Sequence, residues 1–272
     1  MPNLSSSGCE LHYELHDLSA PWIDDRQTIL FHHGLGATSG TWAGWFPALA
    51  DRLRIVSFDM RGHGRSSHPP PDAPLSLDLL AGDIFQVADA AGADRFHLVG
   101  ESIGGTIALL AALEHPERIR TLTISNGAHI GGSIRSIDDW QQIIDARGMQ
   151  GWSQHMMRGR FFDGAITPEM WQWYEQEQAK ASPDFVLRAV RLLAEADLSE
   201  RLNALRVPVL LLHGDSSPFI PVAVMADLQA RLPDARLQVF AHAKHGLPFS
   251  HAQACSQTLR AFIDEVSVRE GR

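Results

Sequence analysis

Seven short apolar, β-branched runs alternate along this chain with segments of helical pattern, and no other feature constrains its fold as strongly. The runs are ELHYEL (10–15), TILFHH (28–33), RIVSF (54–58), FHLVG (96–100), RTLTIS (120–125), VPVLLLH (207–213) and RLQVFA (236–241). Several are nearly continuous apolar segments, as expected of parallel strands covered on both faces. Between them, 77–91, 103–114, 222–232 and 252–268 place apolar residues at helical spacing. The pattern predicts an α/β fold with a doubly wound, mostly parallel sheet.

Residues 131–200 break the alternation. The segment is helical in pattern and holds Trp140, Trp152, Trp171 and Trp173. Roughly 70 residues without a strand are too many for a connection within one layer. The expected organisation is a core of 1–130 and 201–272 with a helical cap at 131–200 between two strands.

Composition narrows the function. With 272 residues, 44% of them hydrophobic, the chain can bury roughly three quarters of its unfolded surface. The formal net charge of −9, with no basic cluster, argues against nucleic acid as a partner. Cys9 and Cys255 form neither a metal-type spacing nor a disulfide framework. The start, MPNLSSSGCELHYELHD, lacks a basic n-region and an apolar h-region, so no signal peptide is expected. No apolar run approaches the ~20 residues of a membrane span, and a cytoplasmic location without membrane contact is expected.

The stretch VGESIGG (99–105) carries the chemistry. It follows the run FHLVG and opens the helical pattern IGGTIALLAALEHPERI. Glycines two residues before and after Ser102 allow a strained strand-to-helix turn that exposes Oγ at the sheet's carboxyl edge. The helix start offers backbone N–H groups to a developing anion. A bare G-x-S-x-G match is common in proteins; the strand–turn–helix context makes Ser102 a candidate nucleophile rather than a structural turn.

With these residues the chain resembles the α/β-hydrolase superfamily over nearly its whole length. FHHGLG (31–36) resembles the oxyanion loop, which implies the backbone N–H of Leu35 facing that of Ile103. SFDMRGHGRSS (57–67) resembles the loop written D-x-R-G-x-G-x-S. AHAKHGLPF (241–249) is placed like the histidine loop, and the resemblance implies His245 as general base. LHGDSSPFIP and RLPDARLQVF match the flanking pattern, with one departure. The superfamily's orienting Asp or Glu falls on Ser217, a hydroxyl without charge. Asp215, on the same loop, is the nearest carboxylate in sequence, and is read either as its substitute or as a solvated loop acid. Some relatives carry the acid after the strand that here reads RTLTIS, where this chain has Asn126.

Of the other histidines, His32 and His33 are read as packing or bonding to backbone, and His63 as structural. His242 precedes His245 by three residues, but no third ligand stands at a recognisable spacing, so neither metal nor cofactor is expected.

A serine nucleophile excludes the aspartate-dependent haloalkane dehalogenases and epoxide hydrolases. The cap segment IDARGMQGWSQHMMRGRFF and the later EADLSERLNALRVPVLLLHG resemble the 3-oxoadipate enol-lactonase branch, which implies cleavage of a small carboxylic ester or lactone through an acyl-enzyme. Alternatives are hydrolysis of a vinylogous carbon–carbon bond and a non-catalytic binding protein of the same fold. HHGLGATSG has the spacing G-x-G-x-x-x-G, which departs from the dinucleotide fingerprint. Trp42 and Trp45 are candidate walls of an acyl pocket. Arg135, Arg147, Arg158 and Arg160 are candidate partners of a substrate carboxylate, solvation being the commoner fate of such side chains.

Overall fold

The computed structural model describes residues 3–18, 20–22, 26–135, 137, 139–269 and 271. Eight strands form one sheet: β1 Asn3–Ser6, β2 Cys9–His16, β3 Thr28–His32, β4 Arg54–Phe58, β5 Phe96–Glu101, β6 Ile119–Ser125, β7 Val209–Gly214 and β8 Ala235–Phe240, in the order β1-β2-β4-β3-β5-β6-β7-β8. β1 and β2 pair antiparallel, as do β2 and β4, and the other pairs are parallel. This is the doubly wound α/β sheet expected from the sequence.

Helices cover both faces. They are α1 Phe46–Leu49, α2 Leu77–Ala90, α3 Ile103–Glu114, α4 Trp140–Arg160, α5 Pro168–Gln178, α6 Pro183–Glu195, α7 Val222–Arg231, α8 Leu247–Ser250 and α9 Ala252–Arg269. Side chains alternate along β3 accordingly. Leu30 joins the cluster formed with α2, α3 and α7, whereas Ile29 and Phe31 join the one formed with α9, Trp42 and Trp45. α3 is buried nearly all round, Ile103 through Ala112 included, as a helix between sheet and solvent-side layers must be.

β1 has no counterpart among the apolar runs. Its sequence, NLSS, offers one apolar residue, so the pairing is dictated by the turn instead. Ser7 and Gly8 both take positive φ (45° and 76°), the conformation that closes a two-residue hairpin.

Between β6 and β7 the described residues form α4, α5 and α6 and contribute to no named strand. A lone antiparallel bridge, Ile130 to Asp197, ties the two ends of this excursion together. α4 is broken at Gly148, whose φ of 65° lies outside the helical range. Thr167 and Ser182 cap α5 and α6 through their side-chain oxygens. The amphipathic α6 turns Phe185, Val186, Ala189, Val190 and Leu193 inward, and Gly62 O accepts a bond from Ser182 N–H at 2.8 Å.

Candidate active site

The carboxyl ends of β3 and β5 lie side by side, with His32 in register with Gly100. β3 connects onward to β4 on one side while β5 lies on the other. Such a reversal opens a crevice at the strand ends, where α/β folds place their chemistry.

Ser102 occupies the turn from β5 into α3 with φ 55° and ψ −123°, a conformation costing about 1–3 kcal/mol for a residue with a Cβ. The strain is held by close packing. A Cβ at Gly100 would overlap the Gly104 carbonyl, and one at Gly104 would press on the His33 carbonyl. Ser102 N–H donates to Ser125 O at 2.9 Å, and Ser102 O accepts from Gly105 and Thr106. Oγ is thereby fixed above the sheet edge.

His245 arrives on the loop between β8 and α8. Its Nε2 lies 3.0 Å from Ser102 Oγ, and its Nδ1 lies 3.1 Å from Ser217 Oγ. For Nε2 to accept the serine proton, Nδ1 must carry hydrogen and donate to Ser217. The same hydroxyl oxygen accepts Ile220 N–H at 3.4 Å, so it is already oriented as an acceptor. Ser217 therefore fixes the tautomer by geometry and contributes no charge. Burial holds the imidazole well below its ordinary pKa, and the positive Arg160 and the neighbouring His213 push in the same direction.

Asp215 does not reach the imidazole. Its carboxylate accepts the backbone N–H groups of His242 and Ala243 at 3.0 and 3.2 Å and the Ser216 hydroxyl at 2.8 Å. The bond from His242 leads the set that holds it below the usual carboxylate range. It braces the loop that carries His245 from the solvent side. Asn126 does the same from inside: its amide donates to His245 O at 2.9 Å and accepts Gly214 N–H at 3.1 Å.

On the other side of Ser102 runs the HHGLG loop. Gly34 N–H donates to Glu101 Oε2 at 3.3 Å and Gly36 N–H to His63 Nε2 at 2.9 Å. Between these two committed amides stands Leu35, which lines the same cavity as Ser102 and His245. His33 Nε2 accepts Met60 N–H at 2.8 Å, while its Nδ1 faces Gly34 O. Burial pushes His32 and His63 down to about 4 and His33 well below its usual value. All three are neutral scaffold for this loop. His242 stacks on Phe162, with ring centroids 4.2 Å apart.

Above Ser102 lies a narrow cavity of about 30 Å³. Leu35, Ser102 and His245 form its floor, and Trp140, Met156 and Arg160 of α4 are among the residues that roof it. Trp42 and Trp45 are not walls. They are fully buried against Phe31, with centroids 4.9 and 5.8 Å away, and Trp45 Nε1 donates to Pro248 O. Of the candidates Arg135, Arg147, Arg158 and Arg160, the last alone is buried. Its burial follows from the turn of α4 into the core, which spacing along the sequence does not reveal.

A family model described as "alpha/beta hydrolase fold" matches residues 27–182 and 167–252. The chain belongs to this family. Among curated relatives, "Putative carbamate hydrolase RutD" of Caulobacter sp. (strain K31) is 29% identical over 268 residues, covering 93% of this chain and 95% of its own. The α/β-hydrolase fold is shared with the enol-lactonase from Burkholderia xenovorans LB400, at TM-score 0.84 and 23% identity, covering 97% of this chain and 100% of that one. A thermophilic esterase from Thermogutta terrifontis gives TM-score 0.83 at 21% identity, over 98% and 99%. Among the described residues of this family member, no helix is long and apolar enough to cross a membrane.

Proposed function

We propose that this α/β-hydrolase is a serine esterase or lactonase that works through an acyl-enzyme on Ser102. The observation that carries the reading is the 3.0 Å approach of His245 Nε2 to Ser102 Oγ at a strained elbow. Oγ attacks the substrate carbonyl as its proton passes to Nε2. The oxyanion formed is met by the N–H groups of Leu35 and Ile103. Collapse breaks the acyl–oxygen bond, and the imidazolium returns the proton to the leaving alcohol. In a lactone that alcohol stays attached to the acyl chain. Water then attacks the acyl carbon as it gives a proton to Nε2; collapse breaks the bond to Ser102 Oγ, which takes that proton back as the acid leaves.

Ester or lactone is favoured over carbamate on chemical grounds. A carbamate carbonyl is less electrophilic because nitrogen donates into it, and a base lacking a carboxylate behind it suits the more reactive carbonyl. The likeness to the enol-lactonase and the esterase is one of fold, and the carbamate reading comes from a relative's name. A panel of short p-nitrophenyl esters, simple lactones and a p-nitrophenyl carbamate separates them. Turnover is expected on esters or lactones and at least about tenfold less on the carbamate. Turnover of the carbamate alone, or of nothing in the panel, contradicts the proposal.

A further inference from the structure

We infer that Arg160 is the recognition residue for a carboxylate carried by the substrate, so that the preferred substrate is an acid ester or acid lactone. This rests on the hydrolase reading above and adds the substrate's charge to it. The Arg160 side chain is 2% exposed and lines the cavity together with Ser102 and His245. Its Nε donates to Gln178 Oε1 at 2.7 Å, and one terminal nitrogen, Nη2, donates to Leu35 O at 2.5 Å. The guanidinium also lies 5.3 Å from the centre of the Tyr174 ring. The other terminal nitrogen, Nη1, is buried without a hydrogen-bond partner.

The nearest charge to Nη1 is Glu101 Oε1, 3.7 Å away, beyond hydrogen-bond reach. Burial pushes the Glu101 carboxyl up, which weakens it as a counter-ion. A buried guanidinium whose Nη1 makes no hydrogen bond is costly unless an anion completes it. Nη1 can complete its bonding by donating a charge-assisted hydrogen bond to a carboxylate oxygen. The remaining cavity lining is chiefly apolar, with Ile134, Ile137, Val190 and Leu193 opposite, which suits a short carbon chain between the carboxylate and the reacting carbonyl.

The position has a second effect. Arg160's charge opposes formation of the His245 imidazolium, and no carboxylate stands behind that ring. A substrate anion seated on Arg160 offsets the charge while the proton is being transferred. The preference for acid esters is therefore expected in kcat as well as in KM.

The test compares p-nitrophenyl hydrogen glutarate with p-nitrophenyl methyl glutarate, each corrected for spontaneous hydrolysis. The wild-type enzyme is expected to favour the acid ester by about tenfold or more in kcat/KM, with part of that in kcat. Arg160→Met should bring the ratio to about one, and Arg160→Lys should keep part of it. Equal turnover of the two esters by the wild type, or a wild-type ratio surviving in Arg160→Met, overturns the inference and leaves the hydrolase reading standing. Failure of both esters, with Ser102 unlabelled by a fluorophosphonate, sinks the hydrolase reading and this inference together. If Arg160→Met does not fold, inhibition of wild-type methyl-ester turnover decides. Glutarate should compete and glutaramide should not; equal inhibition by both overturns the assignment.

Discussion

At Ser217 the site has a hydroxyl 3.1 Å from His245 Nδ1, where a carboxylate would both orient the ring and stabilise its charged form. Only the first of these tasks is met. Ser217→Asp should raise kcat on an activated ester by about tenfold or more with little change in KM, because the charge matters when imidazolium forms. The same change should move the acid limb of the pH–rate profile upward. In the wild type that limb should lie below the ordinary histidine range, since burial and Arg160 both favour the neutral ring. Parallel pH profiles of the two proteins check both points, and coincident profiles would count against a neutral third member. Asp215→Asn should leave kcat within a few-fold, because its carboxylate bonds backbone N–H groups that an amide oxygen can also accept. Ser217 could be located from sequence because strand, glycine and prolines fix its register. That it bonds the imidazole, and that Asp215 turns away, depends on side-chain direction within one loop. Neither composition nor spacing carries that information.

The elements differ in how plainly the chain announces them. β3, β4, β5, β6 and β7 are apolar runs because the central sheet is covered on both faces, and burial on two sides leaves a strong signal; β8, at the sheet's edge, alternates exposed Arg236 and Gln238 with half-buried Leu237 and Val239. β1 is a polar edge strand made by its turn, so its signal lies in two positive-φ residues and not in hydrophobicity. The elbow is legible because close packing admits nothing larger than glycine at two fixed positions. Arg160 is one of six arginines in 131–200; the tertiary path of α4 distinguishes it. Gly104→Ala tests the packing argument. Its Cβ would press on the His33 carbonyl, so a loss of about 1–3 kcal/mol in stability is expected, measured by urea denaturation. Activity should fall further than stability does, because relief of the overlap shifts the oxyanion loop. A variant with wild-type stability and turnover would show that the two backbones are not in the contact described.

Across the whole molecule, neutral buried histidines tie stability to pH. His32, His63 and His213 are each pushed down to about 4, burial being the largest cause. The unfolded chain takes up protons at these rings below its ordinary pKa of about 6.5, while the folded protein does not. Their contribution is therefore complete above about pH 6.5 and is lost as pH falls toward 4, of order 2 kcal/mol per ring by about pH 5. Urea midpoints at about pH 7.5 and pH 5 should show a clear drop, and an unchanged midpoint would mean that these rings are solvated or paired. Protonation of the scaffold under the HHGLG loop also threatens the Leu35 amide, which joins stability to the chemistry at Ser102. Covalent labelling tests that chemistry without needing the substrate. Mass-spectrometric mapping after treatment with a fluorophosphonate should find the adduct on Ser102 of the folded wild type and none in Ser102→Ala. A folded wild type that stays unlabelled, or an adduct that persists in Ser102→Ala, would contradict it.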